Sequence, residues 1–240
     1  MKNRISILLL LVAVTSLSVM SSCHLGCIKG SGKQVSENRK ISKFSKLEIS
    51  GGFKINLKQD SSYTLSVTAD ENLMKYIRTE VSGNKLKLYT RKNFCSESPI
   101  MLNVGIGQLE EIKGSGAVEL VSEGRINAQN FKMSFSGASK IDMDLSVADL
   151  QTEASGATQI NLKGQAASHT LKVSGVGKLH AFDFVVGNYN IKTSGSGNCE
   201  INVLKSLITH TSGVANIQYK GNPSNVETHK SGASSIKKVQ

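Results

Sequence analysis

The chain has 240 residues, 39% hydrophobic and 20% charged, with 22 Gly, 2 Pro, 7 Phe, 5 Tyr and no Trp. That hydrophobic share excludes a disordered chain, and the absence of a three-residue Gly period excludes collagen. The shortage of large aromatics excludes a thick core built on them, and a net charge of +11 makes a polyanion the first class of partner to weigh.

Lys2 and Arg4 precede an apolar and small-residue run from Ile5 to about Met20, the layout of a secretory signal. At about 16 residues the run is short of the ~20 that a membrane-spanning helix needs. It ends in Leu17-Ser18-Val19-Met20-Ser21-Ser22-Cys23, which resembles a bacterial lipobox. Residues 1–22 then form the signal, and Cys23 becomes the lipidated first residue of an exported chain. Ordinary cleavage near Ser22, leaving Cys23 a free thiol, is the alternative. Losing residues 1–22 removes two of 29 basic residues and no acid, so 27 minus 18 leaves +9 on the exported chain. No acidic residue stands in Leu25-Gly26-Cys27-Ile28, so the acidic signal of some surface lipoproteins is lacking and the periplasmic face is favoured. Residues 23–40, polar and without periodicity, read as the lipidated Cys and a flexible tether. Besides Cys23 the chain holds three cysteines, an odd number that cannot form a closed disulfide framework; Cys27 with Cys95 is one possible pair.

Residues 41–240 read as one domain. Ile49 to Leu57 carries Ser50-Gly51 within a strand-like alternation. Asp70 to Ile77 has the pattern of a short helix with Asp70 as N-cap. Thr79 to Tyr89 reads as a hairpin turning at Ser82-Gly83-Asn84. Gly51 to Gly116 spans 65 residues, about three repeats in length. From about 111 onward Ser-Gly returns at Gly116, Gly137, Gly156, Gly175, Gly195, Gly213 and Gly232, at intervals of 21, 19, 19, 20, 18 and 19. Four positions after each Gly stands Leu120, Ile141, Ile160, Leu179, Cys199, Ile217 or Ile236, so Cys199 reads as a small core hydrophobe. The pattern predicts an all-β fold, a single-stranded parallel β-helix or solenoid of about 19–20 residues per coil. Residues 41–110 are its less regular N-terminal cap region, hiding the open first coil, and 111–240 its regular repeats. Coils ~4.8 Å apart would align the glycines, Gly51 included, as a column at the bend and the serines as a hydroxyl ladder.

The run Phe44-Ser45-Lys46-Leu47-Glu48-Ile49-Ser50-Gly51, then Tyr63 to Val67, Asp70-Glu71-Asn72-Leu73, Leu109-Glu110-Glu111-Ile112, the Ser-Gly units and Tyr219-Lys220-Gly221-Asn222-Pro223 resemble the family of auto-transporter adhesins with a head GIN domain. The resemblance covers about residues 42–238. It implies a β-helical, exported, often lipid-anchored protein of the kind found in Bacteroides-like bacteria, and it brings no catalytic motif.

Two outward columns carry chemistry. Five positions after the glycines stand Asp142, Asn161, His180 and Glu200. Asp142 and Glu200 are three coils apart, roughly 14 Å, beyond the ~5–9.5 Å of paired glycosidase carboxylates. His180 beside Glu200 reads as a surface ion pair. Three positions before the glycines stand Lys113, Ser134, Glu153, Lys172, Lys192, His210 and His229. Glu153 and Lys172 suggest a cross-strand pair. His210 and His229 are neighbours without a third ligand, so no metal is expected, and this column reads as a solvated face. The densest basic places are Lys85, Lys87, Arg91 and Lys92 near the hairpin and Lys237 with Lys238 at the end; with no aromatic stacking positions among them, nucleic acid is disfavoured. The expectation is a non-enzymatic envelope lipoprotein without cofactor, held to a membrane through Cys23 and binding a glycan, an envelope component or a protein. The alternative is a β-helical enzyme acting on polysaccharide through Asp142, His180 and Glu200, and self-association through a poorly capped end is a third possibility.

Overall fold

In the computed structural model, which describes residues 26–240, regular structure is strand almost throughout. The signal 1–22 and the lipidation position Cys23 lie outside the described residues. In chain order the strands are β1 (Ile28–Lys29), β2 (Gln34–Lys40), β3 (Lys46–Gln59), β4 (Thr64–Asp70), β5 (Ile77–Ser82), β6 (Lys85–Thr90), β7 (Phe94–Cys95), β8 (Met101–Ile106), β9 (Glu111–Lys220) and β10 (Asn225–Lys238). The all-β expectation holds, in one large mixed sheet system together with the small β1–β7 pair.

β3 organises the N-terminal part. Leu47, Ile49, Phe53, Ile55 and Leu57 are buried while residues between them reach solvent, the two-residue period of a half-buried strand. On one side β3 pairs in parallel with β9, from Lys46 opposite Glu111 to Leu57 opposite Ser122. On the other it pairs in parallel with β6 and then with β8. Gly51 therefore sits directly opposite Gly116, so the 65 residues between them do not interpose three repeats. They leave through β4, antiparallel to β8, and through the β5–β6 hairpin, and come to lie beneath β3. That hairpin turns at Gly83, whose φ is +60°.

Two sequence expectations are corrected here. The tether expected over residues 23–40 is largely structured: Gln34 to Lys40 is β2, antiparallel to β4 at the sheet edge. Cys27 forms a disulfide with Cys95, beside the parallel β1–β7 pair. β2 is polar because most of its side chains face water, so its sequence looks like linker. The helix expected over Asp70–Ile77 is a single 3-10 turn, Met74–Tyr76, because only six residues join β4 to β5 and Leu73 and Ile77 must both be buried. Asp70 ends β4 rather than capping a helix, and its buried carboxylate accepts a hydrogen bond from Ser96 Oγ at 2.7 Å.

β9 is 110 residues of continuous strand backbone, which drawn straight would run to roughly 360 Å. Within it, each Ser-Gly lies against the Ser-Gly before it. A Cβ on Gly137 would lie 2.5 Å from the Gly116 carbonyl oxygen, and one on Gly156 2.6 Å from that of Gly137. All eight glycines Gly51, Gly116, Gly137, Gly156, Gly175, Gly195, Gly213 and Gly232 have positive φ. β10 repeats the step, pairing in parallel with β9 so that His229 faces His210, Gly232 faces Gly213 and Ile236 faces Ile217. Leu120, Ile141, Ile160, Leu179, Cys199 and Ile217 fill one buried slot per level. Each such aliphatic contributes about 1.5–3 kcal/mol of transfer free energy. Cys199 is free and packs as a hydrophobe, burial pushing its thiol up to about 12.

A polar groove along the Ser-Gly bends

The bend at each Gly sets what the preceding three residues do. The residue three before it points outward, the next is buried on every level but the last, where Lys230 is exposed, and the serine lies at the lip. Stacked level on level, these positions line a groove of about 1020 Å³ running from Glu48-Ile49-Ser50 to His229-Lys230-Ser231. The serines are tied to the level before: Ser50 and Ser115 hydroxyls are 3.1 Å apart, Ser155 Oγ donates to Phe135 O at 3.5 Å and Ser212 Oγ to Thr193 O at 3.4 Å. With its proton given to the backbone, such a hydroxyl keeps lone pairs for a donor in the groove.

The outer wall is the column Lys113, Ser134, Glu153, Lys172, Lys192, His210, His229, read from sequence as a plain solvated face. Its charges are neutralised toward β3 and free toward β10. Glu48 takes a hydrogen bond from Lys85 Nζ at 2.8 Å, which holds its carboxyl below the usual range. Lys113 pairs with Glu111 at 3.0 Å. Glu153 lies 3.4 Å from both Lys132 and Lys172; desolvation raises its pKa, but the two cations outweigh that and hold it low. Farther along, Lys192 and Lys230 have no ion-pair partner among the described residues. His210 and His229 stack with centroids 4.6 Å apart and planes 5° from parallel, and His229 Nε2–H donates to Glu227 at 2.6 Å. Among the described residues no group of three or more His, Cys, Asp or Glu could hold a metal.

The floor changes in the same direction. It is apolar at Ile49, Phe135, Ala154 and Val173, then becomes Thr193, Thr211 and Lys230. Thr193 and Thr211 are each 4% exposed, and neither hydroxyl has a hydrogen-bond partner. The strand alternation in the sequence already marks Phe135, Ala154 and Val173, two residues before the Gly, as buried, and the switch from Val173 to Thr193 at that position is legible once the register is set.

Asp142, Asn161, His180 and Glu200 line neither this groove nor the second one, of about 980 Å³, beyond the glycine column. His180 Nδ1 and Glu200 Oε2 are 2.8 Å apart in an exposed pair. Asp142 makes no side-chain hydrogen bond among the described residues. Of the basic cluster near the hairpin, Lys85 is engaged with Glu48 and Lys92 lines the second groove. One titratable group was missed altogether. His169 is buried against Tyr189 and Phe184, its Nε2 is 2.9 Å from Thr152 Oγ1, and burial lowers its pKa to about 3. It lines neither groove.

The all-β chain repeats the same polar lining along one extended groove. Its sequence places it further: residues 43–223 match the model of the family described as putative auto-transporter adhesin, head GIN domain, and the chain belongs to that family. A putative adhesin from Bacteroides fragilis has the same fold, with a TM-score of 0.83 at 23% identity over 88% of this chain and 100% of that one. A putative adhesin from Parabacteroides merdae has a TM-score of 0.67 at 21% identity over 89% and 99% of the two chains. A putative lipid binding protein from Parabacteroides distasonis has 0.67 at 22% identity over 90% and 100%. No curated protein matches the chain.

Proposed function

We propose that this chain is an exported, non-enzymatic envelope lipoprotein whose β-sheet winds as a single-stranded parallel β-solenoid and whose groove along the Ser-Gly bends seats an extended ligand. The observation that carries this is the groove itself, built from the same three columns over eight levels, Ser50 to Ser231. A repeated row of like groups gives many equivalent weak contacts to a repeating partner and no convergent nucleophile, base and acid. Membership of an adhesin family supports a binding role and an exported location. A glycan, with hydroxyls along its edges, suits a groove lined by a column of serines. Glycan-array and envelope pull-down measurements on the purified chain test the reading. A Ser174→Trp side chain would obstruct mid-groove; capture that survives it unchanged would show that the ligand sits elsewhere.

The 2.8 Å His180–Glu200 contact keeps the enzymatic alternative testable. Joint replacement of Asp142, His180 and Glu200 should leave the protein's behaviour unaltered on the binding reading; loss of a measurable polysaccharide turnover in an unchanged fold would overturn it. For the anchor, Cys23→Ser should move the protein to the soluble fraction, and persistence in the membrane would rule out a lipid there.

A further inference from the structure

The bends have a second side. Beyond the glycine column lies the groove of about 980 Å³, one wall of which is the loop that carries Cys95. We propose that this groove seats an acyl chain of the lipid on Cys23, giving the exported chain a shelter for its own anchor while it is off the bilayer. The inference rests on the lipoprotein reading above and adds to it a site within the domain.

The floor is apolar where it meets solvent. One residue before each bend glycine the chain places a serine at the lip; one residue after it, Gly52, Ala117, Ala138, Ala157 and Val176 bring no polar side-chain atom to five exposed positions. Gly52 lies directly opposite Ala117, and each later bend glycine rests against the carbonyl of the one before, so the five sit on successive levels. Nothing lies within 4 Å of a Cβ built on Gly52, and Val176 is 57% exposed, so the strip is open along its length and favours an apolar cover. Four steps of ~4.8 Å make it roughly 19 Å long, against about 15 Å for one leaflet of a ~30 Å hydrocarbon core. An acyl chain fits it lengthwise.

The strip also has walls. Phe94, Pro99 and Ile100 line the groove from the loop between β7 and β8, and Ile100 O accepts from Lys54 N at 2.9 Å, which sets that loop against the Gly52 end. The loop is held from behind: Ile28 N donates to Asn93 O at 2.9 Å, Gly30 N to Cys95 O at 3.1 Å, and Ser96 Oγ to Asp70 at 2.7 Å. The seat is therefore formed before anything enters it. The far rim is polar, with Lys54 and Glu119 paired at 3.4 Å and Lys140 and Lys178 beyond them, so apolar stems face the strip and charged heads face water.

Where the chain runs selects the occupant. Cys95 stands between the lining residues Phe94 and Ser96 and is bonded to Cys27, and Cys23 is four residues before that. Four residues reach at most about 14 Å, so a lipid on Cys23 is held within reach of the Phe94 end at high effective concentration. The Ser-Gly groove, with a serine at its lip on every level, offers an acyl chain no such strip.

Two measurements test this on the full chain. The fluorescent fatty acid cis-parinarate should bind the Cys23→Ser protein saturably, about tenfold or more weaker after Ala138→Glu with Ala157→Glu, and unchanged by Ser174→Trp in the other groove. Affinity weaker than about 1 mM, or indifference to the glutamate pair, overturns the seat. An environment-sensitive fluorophore on Ala157→Cys should emit further to the blue in the lipidated protein than in its Cys23→Ser counterpart, while the same fluorophore on Ser174→Cys should not move. Equal emission at Ala157, or an equal shift at both places, overturns the chain's own lipid as occupant. Intact mass separates the two readings: acyl mass on Cys23 with equal emission leaves the lipoprotein standing without the seat, and no acyl mass removes both.

Discussion

A methyl group at Gly137 would meet the Gly116 carbonyl oxygen at 2.5 Å, on a backbone whose φ is +93°. Gly137→Ala should therefore cost about 2–4 kcal/mol, adding left-handed strain to overpacking against main chain that cannot move aside. Gly52→Ala, where nothing lies within 4 Å and φ is not positive, should stay within about 1 kcal/mol; urea titrations of the two variants check the contrast. His169 gives the second residue-scale expectation. Its folded pKa is lowered to about 3 from an ordinary 6.5, so below pH 6.5 the unfolded chain takes up a proton that the folded chain refuses. Its stability contribution is whole above pH 6.5 and drains away as pH falls toward 3, by about 1.4 kcal/mol per unit, or roughly 2 kcal/mol at pH 5. His169→Phe should flatten that slope in urea titrations between pH 7.5 and 4. Parallel slopes in the two proteins would remove His169 as the cause.

At the scale of elements, what could be read from the chain depended on whether a unit recurs. The Ser-Gly bend recurs because every level must turn at the same place under the same crowding, so the glycine column and the buried slot of Leu120, Ile141 and Cys199 were legible. β4, β8 and the β5–β6 hairpin occur once, and a register that joins Gly51 to Gly116 across 65 residues leaves no local mark. β2 escaped notice because an edge strand with one neighbour can be almost wholly polar. In the groove the outer column and the buried position beside it were both legible, but the column was read as plain surface because the alternation of one strand does not show where stacked levels leave a concavity. The last level shows a different economy. β10 is paired on one side only, and positions that below it are Leu207, Thr211 and Ala215 become Val226, Lys230 and Ser234. A charge at a position buried one level down discourages another strand from adding. Lys230→Thr with Ser234→Ala should make this edge sticky, read as mass rising with concentration in light scattering. A double variant that stays monomeric would show that Lys230 is no barrier.

For the whole molecule, the direction of the stack is the useful quantity. The antiparallel strands β4, β2 and β5 cover one end, whereas β10 ends the other, so the two ends differ in chemistry. From the level of β6 and β8 to β10 there are eight steps of ~4.8 Å, roughly 38 Å. Along that length the groove passes from paired to unpaired charge, which puts its free cations at the end farthest from the Cys27–Cys95 disulfide. Removing the disulfide with Cys27→Ser and Cys95→Ser should cost about 2–4 kcal/mol by thermal or urea unfolding, because it closes a loop of 68 residues. A loss near zero would mean that the N-terminal strands unfold apart from the rest.

The same covalent bond also sets a standoff distance. With a lipid on Cys23, a chain free up to Lys40 could let the domain roam roughly 60 Å from the bilayer. If Cys23 carries the lipid proposed above, four residues, at most about 14 Å, separate it from Cys27, and the bond to Cys95 would keep that end of the domain near the headgroups with the cationic end of the groove outward. Reduction leaves only the short β1–β7 pair and the Asn72 contacts to hold residues 28–31, and once these open the leash reaches to where β2 begins, about eleven residues. Energy transfer between a fluorophore at position 237 and a headgroup acceptor in vesicles carrying the lipidated protein should thus change when the bond is reduced, and an unaltered signal would mean that something other than this bond sets the height.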